Sequence, residues 1–339
     1  MDTTLFKIKE KDKFGFIDET GSVVIEPQYI EAEEFHNGFS RVRFNDKLVP
    51  LDSLGRLLMK HLFNHVGRFE ENLAKARLVT MWGYIDRRGS LAIDIQFEAA
   101  GDFSEGLAAV KTEGKFGYID PSGTFQIPAQ FEAAGPFKNG LAPVASDGFS
   151  GYINTSGRFE IEPIFDLCHP FQNEVAVIEK EGRWGLIHRN GEVLLEPQFE
   201  IREGEVYGDF NDGMAIIVRN EKYGFVNQEG KVAIDPIYDF AGDFGEGLAL
   251  VEVNGAFGYI DTGGRLVILP VYEDAGNFEE GLAPVKKGER WGFVQKNGNM
   301  VIEPQFSAVS GFKHGLAWVK HKNQWKYINR EGEQVWGEN

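Results

Sequence analysis

The chain has 339 residues, more than the roughly 250–300 that one hydrophobic core usually serves, so it reads as several domains or as a repeat array whose core grows by addition. Its net charge of −17 argues against non-specific nucleic-acid binding, which needs clustered Lys and Arg. No stretch approaches the ~18 apolar residues of a membrane span, and a single cysteine, Cys168, excludes intrachain disulfides.

In chain order, the first predicted element is Leu5-Phe6-Lys7-Ile8, the opening strand of a repeat. The residues around it lack the charged and apolar regions of a signal peptide, so a cytoplasmic location is expected. Next comes an anchor, Phe14-Gly15-Phe16-Ile17-Asp18: aromatic, Gly, aromatic, β-branched, acidic. The anchor recurs at Trp82, Phe116, Trp184, Tyr223, Phe257 and Trp291, with degenerate copies at Leu48, Ser150 and Trp325. Successive anchors are 34 residues apart, except for 39 between Trp184 and Tyr223, where an insertion falls near 200–209. Residues 1–339 therefore read as one array of ten units.

The fourth unit illustrates the parse. Leu107–Lys111, Phe116–Ile119 and Thr124–Ile127 are predicted strands, making each repeat three-stranded. Asp120-Pro121-Ser122-Gly123 is a tight turn in which Asp accepts from a nearby backbone N–H and Gly supplies a positive φ. Proline near the end of the third strand (Pro27, Pro128, Pro163 and their equivalents) is expected to stop the pairing. The aromatics that recur at fixed offsets, such as Tyr29, Phe97 and Phe131 and then Phe35, Phe103 and Phe137, are expected to form the core between repeats.

Gly182-Arg183-Trp184-Gly185, Ile302-Glu303-Pro304-Gln305-Phe306 and Phe278-Glu279-Glu280-Gly281-Leu282-Ala283-Pro284-Val285 resemble the WG (KWG) repeats of bacterial proteins. The resemblance covers essentially the whole chain. It implies an all-β array with a binding or scaffolding role and brings no catalytic residues. Two architectures suit such repeats: an open solenoid or superhelix, which is the expectation, and a closed, propeller-like toroid.

Neither catalysis nor a cofactor is expected, because no Ser/His/Asp order, P-loop or dinucleotide glycine motif is present. His61 and His65 stand four apart, but on predicted strand and loop with no third ligand nearby, so no metal site is expected. Cys168-His169 reads as a buried thiol rather than a nucleophile.

Binding residues are expected where the repeats differ. At two outward positions of the first strand, the early units carry Lys7 and Lys9, Arg41 and Arg43, Lys75 and Arg77, and then Lys111. Later units carry Val177, Ile216 and Leu250 at the first of these positions. The window from Arg41 to Arg88 holds ten basic and five acidic residues, a net +5 that leaves −22 for the rest. This grading points to an acidic or amphipathic protein partner. Arg202 and Tyr207 in the insertion are further candidates, since insertions map to loops on one face. The alternative is a carbohydrate or cell-envelope module that stacks sugars on exposed Trp318 or Trp336.

Overall fold

The computed structural model describes residues 4–58, 63–201 and 208–337. Among them every regular element is a strand, and the strands form ten separate antiparallel sheets in chain order, one per repeat. The sheets do not merge into a barrel. The chain divides into two compact units, Met1–Glu181 with Ile187–Val193 and Gly182–Leu186 with Leu194–Asn339. The division passes through the sixth repeat.

The fourth repeat is again representative. Its sheet runs Ala99–Ala100, Ala108–Thr112, Lys115–Ile119, Phe125–Phe131, each strand paired with the next. The three expected strands are present. A short leading strand, read from sequence as connecting segment, joins them in seven of the ten described sheets. In five of the seven it is two residues long, too few to show a period; in the eighth and tenth it has six, Phe240–Gly245 and Ala308–Lys313, with a register break between them and the next strand.

The prolines do not stop the pairing as expected. They lie inside the third strand, opposite the anchor glycine. Phe116 pairs with Phe131 and Tyr118 with Ile127, so two residues of one strand face four of the other and the longer strand bulges over Gly117. A β-carbon on Gly117 would stand 2.6 Å from the Ile127 carbonyl oxygen and from the Ala129 nitrogen. Gly15, Gly83, Gly151, Gly185, Gly224, Gly258 and Gly292 meet the same obstruction. The Gly of the repeat is therefore fixed by close backbone approach. Where the anchor has Val49 or Lys326 instead, the bulge is missing: residue 49 lies in a two-stranded sheet, and Lys326 pairs directly with Gly337.

Within each unit the repeats stack in tandem, as in a solenoid. The core lies between consecutive sheets; Tyr118, Ile127, Phe131 and Phe137 of one repeat pack with Ala142, Val144 and Ile153 of the next. Buried tyrosines tie each sheet to the segment that leaves it. The hydroxyls of Tyr84, Tyr118, Tyr152 and Tyr259 donate to the carbonyls of Gly101, Gly135, His169 and Gly276 at 2.7–2.8 Å, seventeen residues on in every case. The expected Asp turns form as well: Asp120 Oδ1 accepts from the N–H of Ser122 at 2.9 Å and of Thr124 at 3.1 Å.

A second set of bonds links neighbouring repeats at the tight turns before the first strand. Glu105 accepts from the backbone N–H of Asn139 (2.6 Å) and Gly140 (2.8 Å), and Glu71 from Gly106 (3.0 Å). In the second unit Asp212, Glu246 and Glu280 accept from Gly247, Gly281 and Gly315. Several of these acceptors, Glu71, Glu105, Asp212, Glu246 and Glu280, hold φ between 48° and 55°. The left-handed backbone forms the hairpin turn while the carboxylate reaches the next repeat. Part of the chain's acidity is thus structural.

Candidate interaction surface in the third repeat

The basic row expected from the sequence is present, but most of it is neutralised within the chain. Lys7 pairs with Glu34 at 3.3 Å, Lys9 with Asp12 at 3.0 Å, Arg43 with Glu31 at 2.5 Å and Lys75 with Asp102 at 3.0 Å. Arg41 donates to Glu33 through both Nε and Nη2 and to the Val66 carbonyl through Nη1. Lys111 lies over the Phe116 ring at 5.5 Å. An open cationic ladder is therefore not what the fold builds.

The apolar stretch is also corrected. Val177 and Leu250 are each only 5% exposed and Ile216 is half-buried. The period-two pattern places these side chains on one face, but that face is covered by the segment leading into each strand. A β-carbon on Gly242 would touch Leu250, and Gly135 and Gly276 approach Pro143 and Pro284 in the same way. Trp336 is likewise buried. Arg202, Tyr207 and His61 lie outside the described residues. Burial pushes the Cys168 thiol up to about 12, so it stays protonated at neutral pH.

Arg77 breaks the pattern. The third repeat has strands at His65–Val66, Leu73–Leu78, Met81–Asp86 and Leu91–Phe97. His65, Arg77 and Trp82 sit directly opposite one another across the first three, so their side chains share one face. The Arg77 guanidinium lies over the indole of Trp82 with its Cζ 5.3 Å from the ring centre. The His65 ring meets the same indole edge-on at 5.5 Å. Arg77 Nε is buried and, among the described residues, has no acceptor. Burial first, and then the nearby Arg41, Arg77 and Lys75, hold the His65 imidazole below its ordinary value, with Asp102 opposing.

The adjoining hairpin tip is equally unlike its counterparts. Other repeats make this turn with polar residues or glycine: Lys11-Asp12, Asn45-Asp46, Glu113-Gly114, Asp147-Gly148, Asn254-Gly255. The third repeat uses Val79-Thr80, and Val79 holds φ at 58° while 74% exposed. A β-branched residue in the left-handed region is an outlier, and such strain costs on the order of 1–3 kcal/mol. Its N–H donates to Asn64 Oδ1 at 2.6 Å. Beside it Leu78 is 42% exposed. Sequence reasoning took Trp82 as a repeat anchor and His65 as half of a rejected metal pair. The signal that would have found this surface was the turn dipeptide, read down the ten repeats.

The WG containing repeat family matches the chain at residues 14–47, 82–116, 116–148, 151–184, 184–223, 223–255, 257–291 and 291–325. The stretch around the second anchor, where Val49 replaces the glycine, falls outside these matches. No curated protein matches the chain. Among solved structures, a eukaryotic initiation factor is similar over 99% of this chain and 96% of its own, at 11% identity and a TM-score of 0.53. Hsv2 of Kluyveromyces lactis covers 66% of this chain and 90% of its own at 9% identity and a TM-score of 0.40. BamB of Moraxella catarrhalis covers 80% and 95% at 9% identity and a TM-score of 0.33. The first of these likenesses concerns fold alone, and the other two are too distant to extend it. With most of its length matched by the repeat, the chain belongs to the WG containing repeat family.

Proposed function

We propose that this chain is a non-catalytic scaffold that binds an acidic or amphipathic protein partner through the third-repeat hairpin. The observation that carries this reading is the exposed Leu78-Val79 pair, with a β-branched apolar residue in a left-handed turn where the other repeats place a polar residue or glycine. Strain of this kind persists where the surrounding structure enforces it, and it clusters at binding sites. The same hairpin carries Trp82 and Arg77, residue types enriched at interface hot spots.

The test is affinity capture with the immobilised full chain against a Leu78→Ser/Val79→Asn variant. The wild type should retain a partner that the variant loses, by about tenfold or more in affinity. Equal retention by both would remove the hairpin from the interface.

A second reading is favoured by the last repeat. Trp318 stacks on Trp325 at 5.3 Å and 3° and lies 5.7 Å from Trp336, with Trp318 and Trp325 half-exposed. Parallel indoles suit a sugar ring. Binding on a glycan array, lost on Trp318→Ala, would make the chain a carbohydrate module.

A further inference from the structure

The residue opposite the Arg77 position varies among the repeats with a cation there: Lys111 and Lys320 face alanines and lie over aromatic rings, while two others face an acid. In the second repeat the residue across from the equivalent arginine is Glu31, which holds Arg43 at 2.5 Å. In the ninth it is Asp274, opposite Lys286. In the third it is His65. A second acid is missing at the same place. Glu98, Glu132, Asp166, Asp239 and Glu273 each accept from a hairpin N–H with a carboxylate, and the third repeat uses the neutral Asn64. Two carboxylates have gone and the cation has stayed. Arg41 and Lys75 nearby keep Glu33 and Asp102, whereas among the described residues Arg77 has the face of an indole and a buried Nε without an acceptor.

We infer that the His65–Arg77–Trp82 row is a binding site for a carboxylate, supplied by an acidic side chain of the partner. This rests on the protein-binding reading above and narrows it to a segment with Asp or Glu beside apolar residues. The carboxylate supplies beside His65 the negative charge that Glu31 supplies one repeat earlier. It accepts from the Arg77 guanidinium in a charge-assisted bond, roughly twice as strong as a neutral one. Stacking on Trp82 leaves the guanidinium edge for that bond. Trp82 walls the site from water, and the exposed Val79 at the hairpin tip receives an apolar neighbour of the acid. Among the described residues the charged groups facing His65 are Arg41, Arg77, Lys75 and Asp102. Three of the four are cations, so an incoming anion relieves repulsion and allows the imidazole to protonate at higher pH.

The experiment uses the full chain labelled at histidine and arginine side-chain nitrogens. His65 is titrated in sodium acetate and in sodium chloride at matched ionic strength while the Arg77 Nε–H signal is followed. Acetate should raise the His65 midpoint by on the order of half a pH unit, shift Arg77 Nε–H, and leave His36 and His314 unmoved. Arg77→Gln should raise the midpoint in chloride, because one cation is gone, and abolish the dependence on acetate. His65→Glu, which copies Glu31, should stay folded, with Arg77 Nε–H already shifted and silent to acetate. Identical titrations in acetate and chloride would overturn the site, as would a response to acetate that survives His65→Glu. A response to inorganic phosphate with none to acetate would overturn its assignment to a carboxylate. The two readings fail separately: an intact acetate response with no partner capture removes the protein ligand alone, and capture with no acetate response removes the carboxylate alone.

Discussion

The carbonyl oxygen of Ile93 sits over Gly83, 2.6 Å from where a β-carbon would stand. The contact is to backbone on a strand that is itself hydrogen-bonded, so it has little room to yield. Gly83→Ala should therefore lower stability by about 1–3 kcal/mol, the usual range for overpacking, seen as a lower urea midpoint. Lys326→Ala, at the one aromatic anchor with no such bulge above it, is the control and should stay within about 0.5 kcal/mol. Equal losses in the two variants would refute the steric account.

Val79→Asn should raise stability while it weakens binding. Asn adopts the left-handed region with little penalty, and the Val conformation costs about 1–2 kcal/mol. A higher urea midpoint with reduced partner retention is the expected result. A destabilised variant would mean that the Val79 side chain packs well enough to offset its backbone.

Asp120 should contribute a pH-dependent stability. The Ser122 hydroxyl, and then the N–H groups of Thr124 and Ser122, hold its carboxyl below the ordinary value. A carboxyl depressed on folding gives stability that is full above its unfolded value and is lost as pH falls through the folded one. Asp120→Asn keeps the turn, as Asn154 does in the next repeat. It should flatten the decline in stability below about pH 4, measured by thermal melts across that range.

Cys168 should react with a thiol reagent only when its sheet opens. It is buried, and its thiol is pushed up to about 12. Labelling should be slow in buffer and complete in denaturant; rapid labelling of the native chain would contradict the burial.

The repeat, its ten sheets and the Asp turns were legible in the sequence because each recurs, and recurrence at a fixed offset marks a shared steric environment. What recurrence hid was direction. Period two groups Val177 and Leu250 with the strand's outward positions but does not say which face the neighbouring segment covers, so buried residues read as surface. The proline bulge was hidden because Pro27 and Pro128 look like terminators until their partner is seen to be a glycine. Of the site, Arg77 was identified as one of a basic series, but its isolation was not. The series is broken by Glu31, Glu33 and Asp102, which come from other segments and answer every cation around it. Val79, Asn64 and His65 each depart from their column in the repeats, and only the fold brings the three departures to one place.

The turn bond from Glu105 to Asn139 and Gly140 also has a direction in time. The carboxylate leaves the ribosome first, and the amides it binds follow about one repeat later, near two to seven seconds at ordinary elongation rates. The repeats that carry Glu71, Glu105, Asp212, Glu246 or Glu280 emerge with this acceptor in place, and the repeat behind supplies the amide. Assembly within a unit therefore proceeds as a growing front. A chain halted in mid-synthesis exposes one unfinished turn, at its newest end.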